Sequence, residues 1–352
     1  MSENGILRLL PQVHFPGVVY VGKNALFYFK TLKNEKVLTL VSQSVWEHHN
    51  EILKRSLPDC DFRFCHGEPT QLAVKELHAT IKERGYTHVI GVGGGSVMDL
   101  AKTARLADEN VKTILVPTTS GTGAEVSRNA VITEGSEKKP IVSEKLVPHT
   151  VILYPHFTLT LPLFETTYIM VDALTHSIEG LASRTSNPLT ESIALFAIDI
   201  IIPHLKKARE NANDLVSRER LQLAGFLSGF VQSSSSVGLI HSFANYFGTK
   251  MKLPHGLAVA LFTIPVLTYG MKKTDQYQKL QASRHLHGDV IANLKEFMCH
   301  IGLYDYHTKL NFGNVDIKEA CEWIRNDACT TTNPYPVSDD DVKNILSSMG
   351  VI

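Results

Sequence analysis

The sequence predicts two structural classes in succession, an α/β N-terminal domain and an all-α C-terminal domain. Short β-branched runs alternate with amphipathic stretches in the first part of the chain, as in βαβ units around a parallel sheet. Beyond about residue 160, apolar residues recur every three or four positions, which is the helical period. We therefore expect domains at 1–160 and 161–352, in line with about two domains for this length.

The elements of the first domain can be placed from the sequence. The predicted strands are largely apolar on both faces, as buried parallel strands are. Helices are predicted between them, at 43–57, 71–84 and 97–107. The predicted strands are 17–21, 37–41, 88–92, 113–116 and 151–153.

The second domain is predicted to be helical from 163 to about 268, with weaker helices and one turn-like cluster, TTTNPYP, in the tail. The segment RLQLAGFLSGFVQSSSSVGLIHSFANYF has the pattern of one apolar helix. Its SSSS stretch at 233–236 is a polar patch inside that predicted helix.

The composition excludes several functional classes. Hydrophobic residues make up 43% of the chain, and 35 basic side chains balance 35 acidic ones. That balance argues against a broad binding surface for nucleic acid or anionic membranes. No uninterrupted apolar run has the length of a membrane span, and the first residues lack the pattern of a secretory signal. Five cysteines without a CxxC pair favour a reducing, cytoplasmic location.

One predicted strand is followed by three glycines and then by a helix. The segment reads THVIGVGGGSVMDLAKTARL, and Gly94, Gly95 and Ser96 lie at the turn. Glycines let the backbone approach a phosphate, and the helix start offers free N–H groups and a positive dipole end. The spacing is not GxGxxG, so the usual dinucleotide motif is absent. The segment predicts a phosphate-binding loop, although a tight strand–helix turn uses glycines in the same way.

A second polar loop follows the next predicted strand. In TILVPTTSGTGAEV, hydroxyl residues and glycines occupy 118–123, beginning with Thr118 and Thr119. In open α/β sheets, ligands bind beyond the carboxyl ends of the strands. The two loops together predict a nucleotide site, and the alternative for this loop is a solvated connection.

Four dispersed residues predict a metal site in the helical domain. Asp172 and His176 are four residues apart, so a helix places both on one face. His241 lies in an apolar helix, where an unpaired imidazole is costly, and His255 lies at a helix start between Pro254 and Gly256. One carboxylate and three imidazoles suit Fe²⁺ or Zn²⁺. The chain has 16 histidines, so hydrogen-bonded core or surface residues remain the alternative for each one.

These motifs together resemble those of the iron-containing (group III, metal-dependent) alcohol dehydrogenases. In order they are GGGSVMDLAK, PTTSGTGAEVSRNAVIT, TLTLP, DALTHSIE, two histidines with thirteen residues between them and the second in PHG, and DACTTTNPYPVSDDDV. The resemblance covers roughly residues 15–350. It implies a dinucleotide-binding α/β domain, a helical metal-binding domain and an active site in the cleft between them. This is the architecture shared with dehydroquinate synthase.

The resemblance also implies roles for individual residues. The metal ligands would be Asp172, His176, His241 and His255. Asn129 would line the substrate pocket, and Asn245 would lie near the nicotinamide. The positions implied for NAD(P)H are Gly94, Gly95 and Ser96 at the pyrophosphate, Asp99 in the next helix, Thr118 and Thr119 beside the adenine and ribose, and Lys139 and Leu159 near the ribose and nicotinamide.

The chain departs from the family pattern at three positions. Ser42 replaces an aspartate that reads the ribose hydroxyls in many members, so a 2′-phosphate is not repelled and NADPH becomes acceptable beside NADH. Asn245 replaces a histidine and cannot shuttle a proton at neutral pH. The closing motif has Tyr335 where the family usually has arginine.

The implied activity is reversible hydride transfer between a nicotinamide and a small aldehyde or primary alcohol, with aldehyde reduction as the expected direction. Arg128 beside the substrate loop would favour an anionic aldehyde, unless it has a structural partner. A homodimer is expected from the family. Two alternatives stay open. One is a glycerol dehydrogenase or dehydroquinate synthase-like enzyme, and the other is a catalytically silent metal- and nucleotide-binding module.

Overall fold

The computed structural model describes residues 13–121, 123–135, 137–304, 312–313 and 315–351. The chain divides into two compact units. The first comprises His14–Pro162 and Asn213–Ser233, and the second is formed chiefly by Leu163–Ala212 and the segment that starts at Ser234. The division differs from the predicted domains in the segment 213–233, which packs with the first unit.

The first unit is built on a six-stranded parallel sheet with the strand order β1-β8-β5-β4-β2-β3. A separate antiparallel hairpin is formed by β6 and β7. The strands are β1 Val18–Val21, β2 Val37–Ser42, β3 Asp61–Cys65, β4 His88–Gly93, β5 Lys112–Pro117, β6 Asn129–Glu134, β7 Glu137–Val142 and β8 Thr150–Leu153.

All five predicted strands are confirmed within one residue at each end, because apolar residues dominate each of them. The three strands that the prediction missed are β3, β6 and β7. They lie at the sheet edge or in the hairpin, and their burial patterns are mostly exposed or mixed. Their sequences therefore carry little of the continuous apolar signal that marks a buried strand.

The helices of the first unit cover both faces of the sheet. Alternate strand residues face opposite sides, so Val89 and Leu115 lie in one apolar cluster and Ile90 and Ile114 in the other. The predicted helix at 97–107 is interrupted at Thr103. The helices are α1 Gln43–Ser56, α2 Gln71–Arg84, α3 Gly95–Lys102 and α4 Ala104–Ala107.

The later part of the chain is helical, as predicted. Short 3₁₀ segments, including Ala328–Thr332, connect some of its helices. The α-helices are α5 Leu163–Ala182, α6 Pro188–Glu210, α7 Leu215–Ser235, α8 Leu239–Met251, α9 His255–Lys273, α10 Val290–His300, α11 Ile317–Asn326 and α12 Asp339–Ser348.

The prediction of one helix through the SSSS patch is wrong. Helix α7 ends at Ser235, Ser236 adopts the left-handed region with φ 62°, and α8 begins at Leu239 after Gly238. A serine at positive φ cannot continue a right-handed helix. The polar patch therefore marks the end of one helix and the approach to the next.

One described helix, α6, is long and apolar enough by length and composition to cross a membrane, and α7 with α8 meets the same test only as a bent pair. The sequence analysis did not anticipate this, because charged residues interrupt the apolar run of α6. In the most apolar 18-residue stretch of α6, 44% is buried inside the protein, and α6 packs against α5. Buried core helices meet the same criteria, so α6 carries no membrane assignment.

Candidate active site

Helix α5 supplies the first two residues of the predicted metal site. Asp172 and His176 are one helical turn apart on a face that packs inward, and they are 4% and 5% exposed. The Nε2 atom of His176 lies 3.6 Å from Oδ1 of Asp172. The four-residue spacing in the sequence therefore becomes a shared buried face, as the helical period requires.

The other two histidines come from the starts of α8 and α9. His241 lies in the first turn of α8, 3% exposed, with Nε2 3.2 Å from Oδ1 of Asp172. His255 is the first residue of α9, and its Nε2 lies 3.6 Å from the same oxygen. Its side chain is 50% exposed. All four residues thus meet at one carboxylate, with three donors buried and the fourth open to solvent.

Gly256 explains how α9 comes so close to α5. A Cβ atom at Gly256 would lie 2.5 Å from the carbonyl oxygen of Tyr168. Only a glycine permits this approach, and the approach places the neighbouring His255 beside Asp172. The PHG motif is therefore a packing requirement as well as a ligand signal.

The electrostatics of the cluster favour bound cations. Burial opposes ionisation of Asp172, but His176, His255 and His241 outweigh it, so the pKa of Asp172 lies well below its usual range. Burial lowers the pKa of His176 to about 4, which keeps its ring neutral. Burial also acts against protonation of His241, yet hydrogen bonds with Asp172 and Glu179 raise its pKa to about 9. The His241 imidazolium supplies the positive charge that a metal ion would replace.

The donor set fits a divalent transition metal. The ligand atoms of Asp172, His176 and His241 all lie within 4.8 Å of one another. The rings of His176 and His241 stack at 4.8 Å, and Nδ1 of His176 is buried without a hydrogen-bond partner among the described residues. One carboxylate with imidazoles is a set that Fe²⁺ and Zn²⁺ accept.

A buried carboxylate that the sequence analysis did not single out lies behind the cluster. Glu179 is 1% exposed, and its Oε2 lies 2.6 Å from Nδ1 of His241. The signal was present in the sequence, because Glu179 follows Asp172 by seven residues and His176 by three and so shares their helix face.

In the first unit, the predicted cofactor loops follow adjacent strands. Gly94–Ser96 follow β4, Thr118 and Thr119 follow β5, and Gly93 is in register with Pro117. Gly94 is the N-cap of α3, and no side chain caps that helix. A Cβ at Gly94 would lie 3.8 Å from Oγ1 of Thr119, a buried atom without a hydrogen-bond partner among the described residues. An uncapped helix start beside an unpaired hydroxyl fits a pyrophosphate group.

Two further predicted residues follow strands of the same sheet. Ser42 ends β2 and caps α1, since its hydroxyl accepts the Val45 N–H at 3.3 Å. Leu159 is half-buried after the 3₁₀ segment that follows β8. From β2 the chain continues to β3 on one side, whereas from β4 it continues to β5 on the other. Ser42 and the glycine loop therefore flank a topological switch point, where open α/β sheets bind ligands.

Asp99 and Asn129 belong to a brace around a buried lysine. Lys102 is 0% exposed and lies 2.9 Å from Asp99. Its ammonium donates to the carbonyls of Ala124 and Asn129. Asp99 also accepts the N–H of Val131 at 2.9 Å. The brace ties α3 to β6 and to the loop after β5, so Asp99 has a structural contact network in addition to its predicted cofactor role.

Two predicted residues have ion-pair partners on the protein surface. Lys139 lies on the exposed strand β7 of the hairpin, and its Nζ lies 2.6 Å from Oε2 of Glu134. Arg128 pairs with Glu144 at 3.1 Å. This ion pair favours a structural role for Arg128 over the binding of an anionic substrate.

Asn245 lies one turn after His241 on α8 and is half-buried. Its amide donates to Asp327 at 3.4 Å and contacts Sγ of Cys329 at 3.8 Å. The structure thus places Asn245 on the same face of α8 as His241, in contact with the segment Asp327–Cys329.

The loop after β5 also contains a buried carboxyl group, and its protonation makes stability depend on pH. Glu125 is 2% exposed, and burial raises its pKa to about 7 although a backbone hydrogen bond and Lys102 oppose the shift. The folded protein then holds a proton that the unfolded chain releases near pH 4.5. The free energy of unfolding should therefore fall as the pH rises from about 4.5 to about 7, by up to about 3 kcal/mol, and then level off.

The Glu125→Gln variant should lack this contribution. We expect it to be more stable than the wild type at pH 8 and about equal at pH 4.5, as measured by urea unfolding at both values. An equal difference between the two proteins at both pH values would contradict a neutral Glu125.

Comparisons with known proteins define the family. A model of the iron-containing alcohol dehydrogenases matches residues 16–155, and a model of the C-terminal region of the Fe-containing alcohol dehydrogenase family matches residues 166–350. The chain therefore belongs to the iron-containing alcohol dehydrogenase family. Its chemistry is the NAD(P)-linked oxidoreduction of alcohols and aldehydes.

Individual relatives cover most of the chain. It is 28% identical over 306 residues to a probable alcohol dehydrogenase EutG of Escherichia coli, covering 80% of this chain and 78% of that protein. It is 26% identical over 377 residues to an NADPH-dependent butanol dehydrogenase of Clostridium saccharobutylicum, covering 94% and 96%. The crystal structure of an iron-containing alcohol dehydrogenase from Corynebacterium glutamicum shares the fold, with a TM-score of 0.87, 19% identity and coverage of 97% and 96%.

Proposed function

We propose that this protein reduces small aldehydes to primary alcohols with NADPH or NADH, using one metal ion held by Asp172, His176, His241 and His255. The observation that carries the proposal is the meeting of three imidazoles at one buried carboxylate oxygen, within 3.2 to 3.6 Å. When bound, the metal would polarise the substrate oxygen and the nicotinamide would supply the hydride.

The chain's own residues bind and orient the reactants. His255 is the exposed member of the cluster, so the open side on which it lies is where a substrate can approach the metal ligands. Gly94, Gly95 and Ser96 would hold the pyrophosphate through their backbone, with Thr118 and Thr119 beside the nucleoside. Asn245 can donate a hydrogen bond but does not titrate, so the proton must reach the product through water or another group.

The cofactor choice rests on Ser42. Its neutral side chain at the end of β2 leaves a 2′-phosphate unopposed, and a related butanol dehydrogenase is named for NADPH. We expect Ser42→Asp to shift the ratio of kcat/KM from NADPH toward NADH by at least tenfold, because a carboxylate repels the phosphate and accepts ribose hydroxyls. Aspartate also caps helices well, so α1 should be retained.

The matched control is Ser143→Asp, which adds the same charge at another capping serine, in the segment that leads into β8 and therefore at the amino ends of the strands, opposite to Ser42. Its cofactor ratio should stay within about twofold of the wild type, by our order-of-magnitude expectation for a screened charge. A ratio that Ser42→Asp leaves unchanged would remove this residue from the specificity argument.

The direct test of the function is a substrate screen. The protein is loaded with Fe²⁺ or Zn²⁺ and offered short aldehydes and alcohols with each cofactor, while nicotinamide absorbance is followed. Consumption of NADPH or NADH with short aldehydes is expected. Cofactor binding with a full metal site but no turnover on any substrate would indicate the silent module. Bound NAD that does not exchange would favour a dehydroquinate synthase-like enzyme.

We further propose a cytoplasmic homodimer that uses Fe²⁺, with Zn²⁺ as the alternative metal. All five cysteines are free thiols, which suits a reducing compartment. The oligomeric state is measured by sedimentation, and the native metal by elemental analysis of protein purified without oxygen.

A further inference from the structure

We infer that Glu179 is a positioning residue for the metal site, one that fixes which ring nitrogen of His241 faces the metal. The inference rests on the proposed function, because it concerns the same cluster. Glu179 itself is not placed among the ligands, since its carboxylate lies on the far side of the His241 ring.

Glu179 holds one imidazole nitrogen of His241 and leaves the other for the cluster. Its Oε2 lies 2.6 Å from Nδ1 of His241, while Nε2 of the same ring lies 3.2 Å from Oδ1 of Asp172. Both oxygens of Glu179 accept backbone N–H groups, so the carboxylate is the acceptor in this contact as well and Nδ1 of His241 is the donor. When a metal is bound, Nε2 is then the nitrogen without a proton, and it points to where Asp172 lies.

The same carboxylate fixes the helix that bears His241. Glu179 accepts the N–H of Gly238 at 2.9 Å and of Ile240 at 2.6 Å. These amides lie at the start of α8, where backbone N–H groups have no partner within the helix. A Cβ at Gly238 would lie 3.0 Å from Oε1 of Glu179, so a larger residue would crowd the contact. Glu179 therefore determines both where His241 lies and how its ring is turned.

A partner of this kind has a known physical effect on metal binding. A carboxylate that accepts the second ring N–H of a metal-bound histidine fixes its tautomer and raises its basicity as a ligand. Loss of such partners typically weakens metal binding about 10–100-fold. A carboxylate that acted only as a helix cap would affect folding but not the choice of ring nitrogen.

The experiment compares Glu179→Gln with Asn333→Ala. Glu179 accepts the Ile240 N–H at Oε1, and the Gly238 N–H and Nδ1 of His241 at Oε2. Glutamine has one oxygen and no charge, so it cannot keep all of these contacts or raise the basicity of the ring as a carboxylate does. Asn333 caps the same helix by accepting the N–H of Leu239 at 3.3 Å, and no hydrogen bond to a histidine ring is observed for it among the described residues. Zn²⁺ affinity of each metal-free protein is measured by competition with a chromophoric chelator, and the thermal midpoint reports folding.

We expect Glu179→Gln to bind Zn²⁺ about 10–100-fold more weakly than the wild type, and Asn333→Ala to lose thermal stability while keeping its affinity within about threefold. Wild-type affinity in Glu179→Gln, or an equal loss in both variants, would overturn the inference. If Asp172→Asn also kept its metal, the proposed function would fail instead, so the two failures can be told apart.

A second measurement needs no variant. In the Zn²⁺-bound wild-type protein with ¹⁵N-labelled histidine, NMR identifies which nitrogen of His241 carries a proton. We expect the proton on Nδ1 and the metal on Nε2. The opposite assignment would overturn the inference even if Glu179→Gln failed to fold.

Discussion

Asp172→Asn should abolish tight metal binding and turnover together. Asp172 is the carboxylate that all three histidines of the cluster face, and it is 4% exposed, so water cannot replace its charge. The amide that replaces it has the same shape but no negative charge to balance a divalent cation. We expect metal affinity to fall by about 100-fold or more, since even indirect partners of a metal site are worth about 10–100-fold. Equilibrium metal content and aldehyde reduction are measured on the same preparations.

The control is Glu165→Gln, which removes a carboxylate from the exposed first turn of the same helix. Its metal content and turnover should match those of the wild type. A fully loaded, active Asp172→Asn protein would refute the ligand set. A folded, metal-free protein that still reduces aldehydes at the normal rate would refute the role of the metal.

Lys102→Met should destabilise the first unit more than any surface change. The Lys102 ammonium is completely buried and neutralises Asp99, while the carbonyls of Ala124 and Asn129 accept from it. Methionine leaves Asp99 without its cation and these carbonyls without this donor. Removing one partner of a buried ion pair costs about 3–5 kcal/mol, measured as the free energy of unfolding in urea. NAD(P)H affinity should fall as well, because the brace holds the loop after β5.

Lys82→Met provides the comparison on the neighbouring helix α2, where the lysine is exposed. Its free energy of unfolding should change by no more than about 0.5 kcal/mol. If the two variants differed by less than about 1 kcal/mol, the Lys102 brace would not be an important source of stability.

The parts of the molecule that were predictable have a local physical signature. The strand β4 is buried along its whole length, so its apolar run is visible without knowledge of its neighbours. Asp172 and His176 share a helix face through their spacing alone, and the glycine loop at Gly94 follows from its position between a strand and a helix.

Other features depend on partners that are distant in the chain. In the sequence, the break between α7 and α8 has the pattern of a continuous helix. The break is stabilised by Glu179, which accepts a hydrogen bond from the N–H of Gly238, 59 residues later in the chain. In the sequence, Lys102 looks like an ordinary lysine on a helix surface. In the structure it is buried, because the carbonyls that accept from its ammonium group lie 22 and 27 residues later in the chain and pack around it. The close approach of Gly256 to Tyr168 is likewise invisible until the two helices pack.

By itself, the sequence determined the order of classes along the chain, the main strands, the loops that follow them and the helix face that Asp172 and His176 share, because each of these rests on short-range periodicity or spacing. Only the tertiary structure decided that three histidines from three helices meet at one oxygen of Asp172, that the fourth donor in the set is the open one, and that Glu179 lies behind His241. The reason is physical: distances and burial are set by the packing of separate elements, and no spacing within one element encodes them.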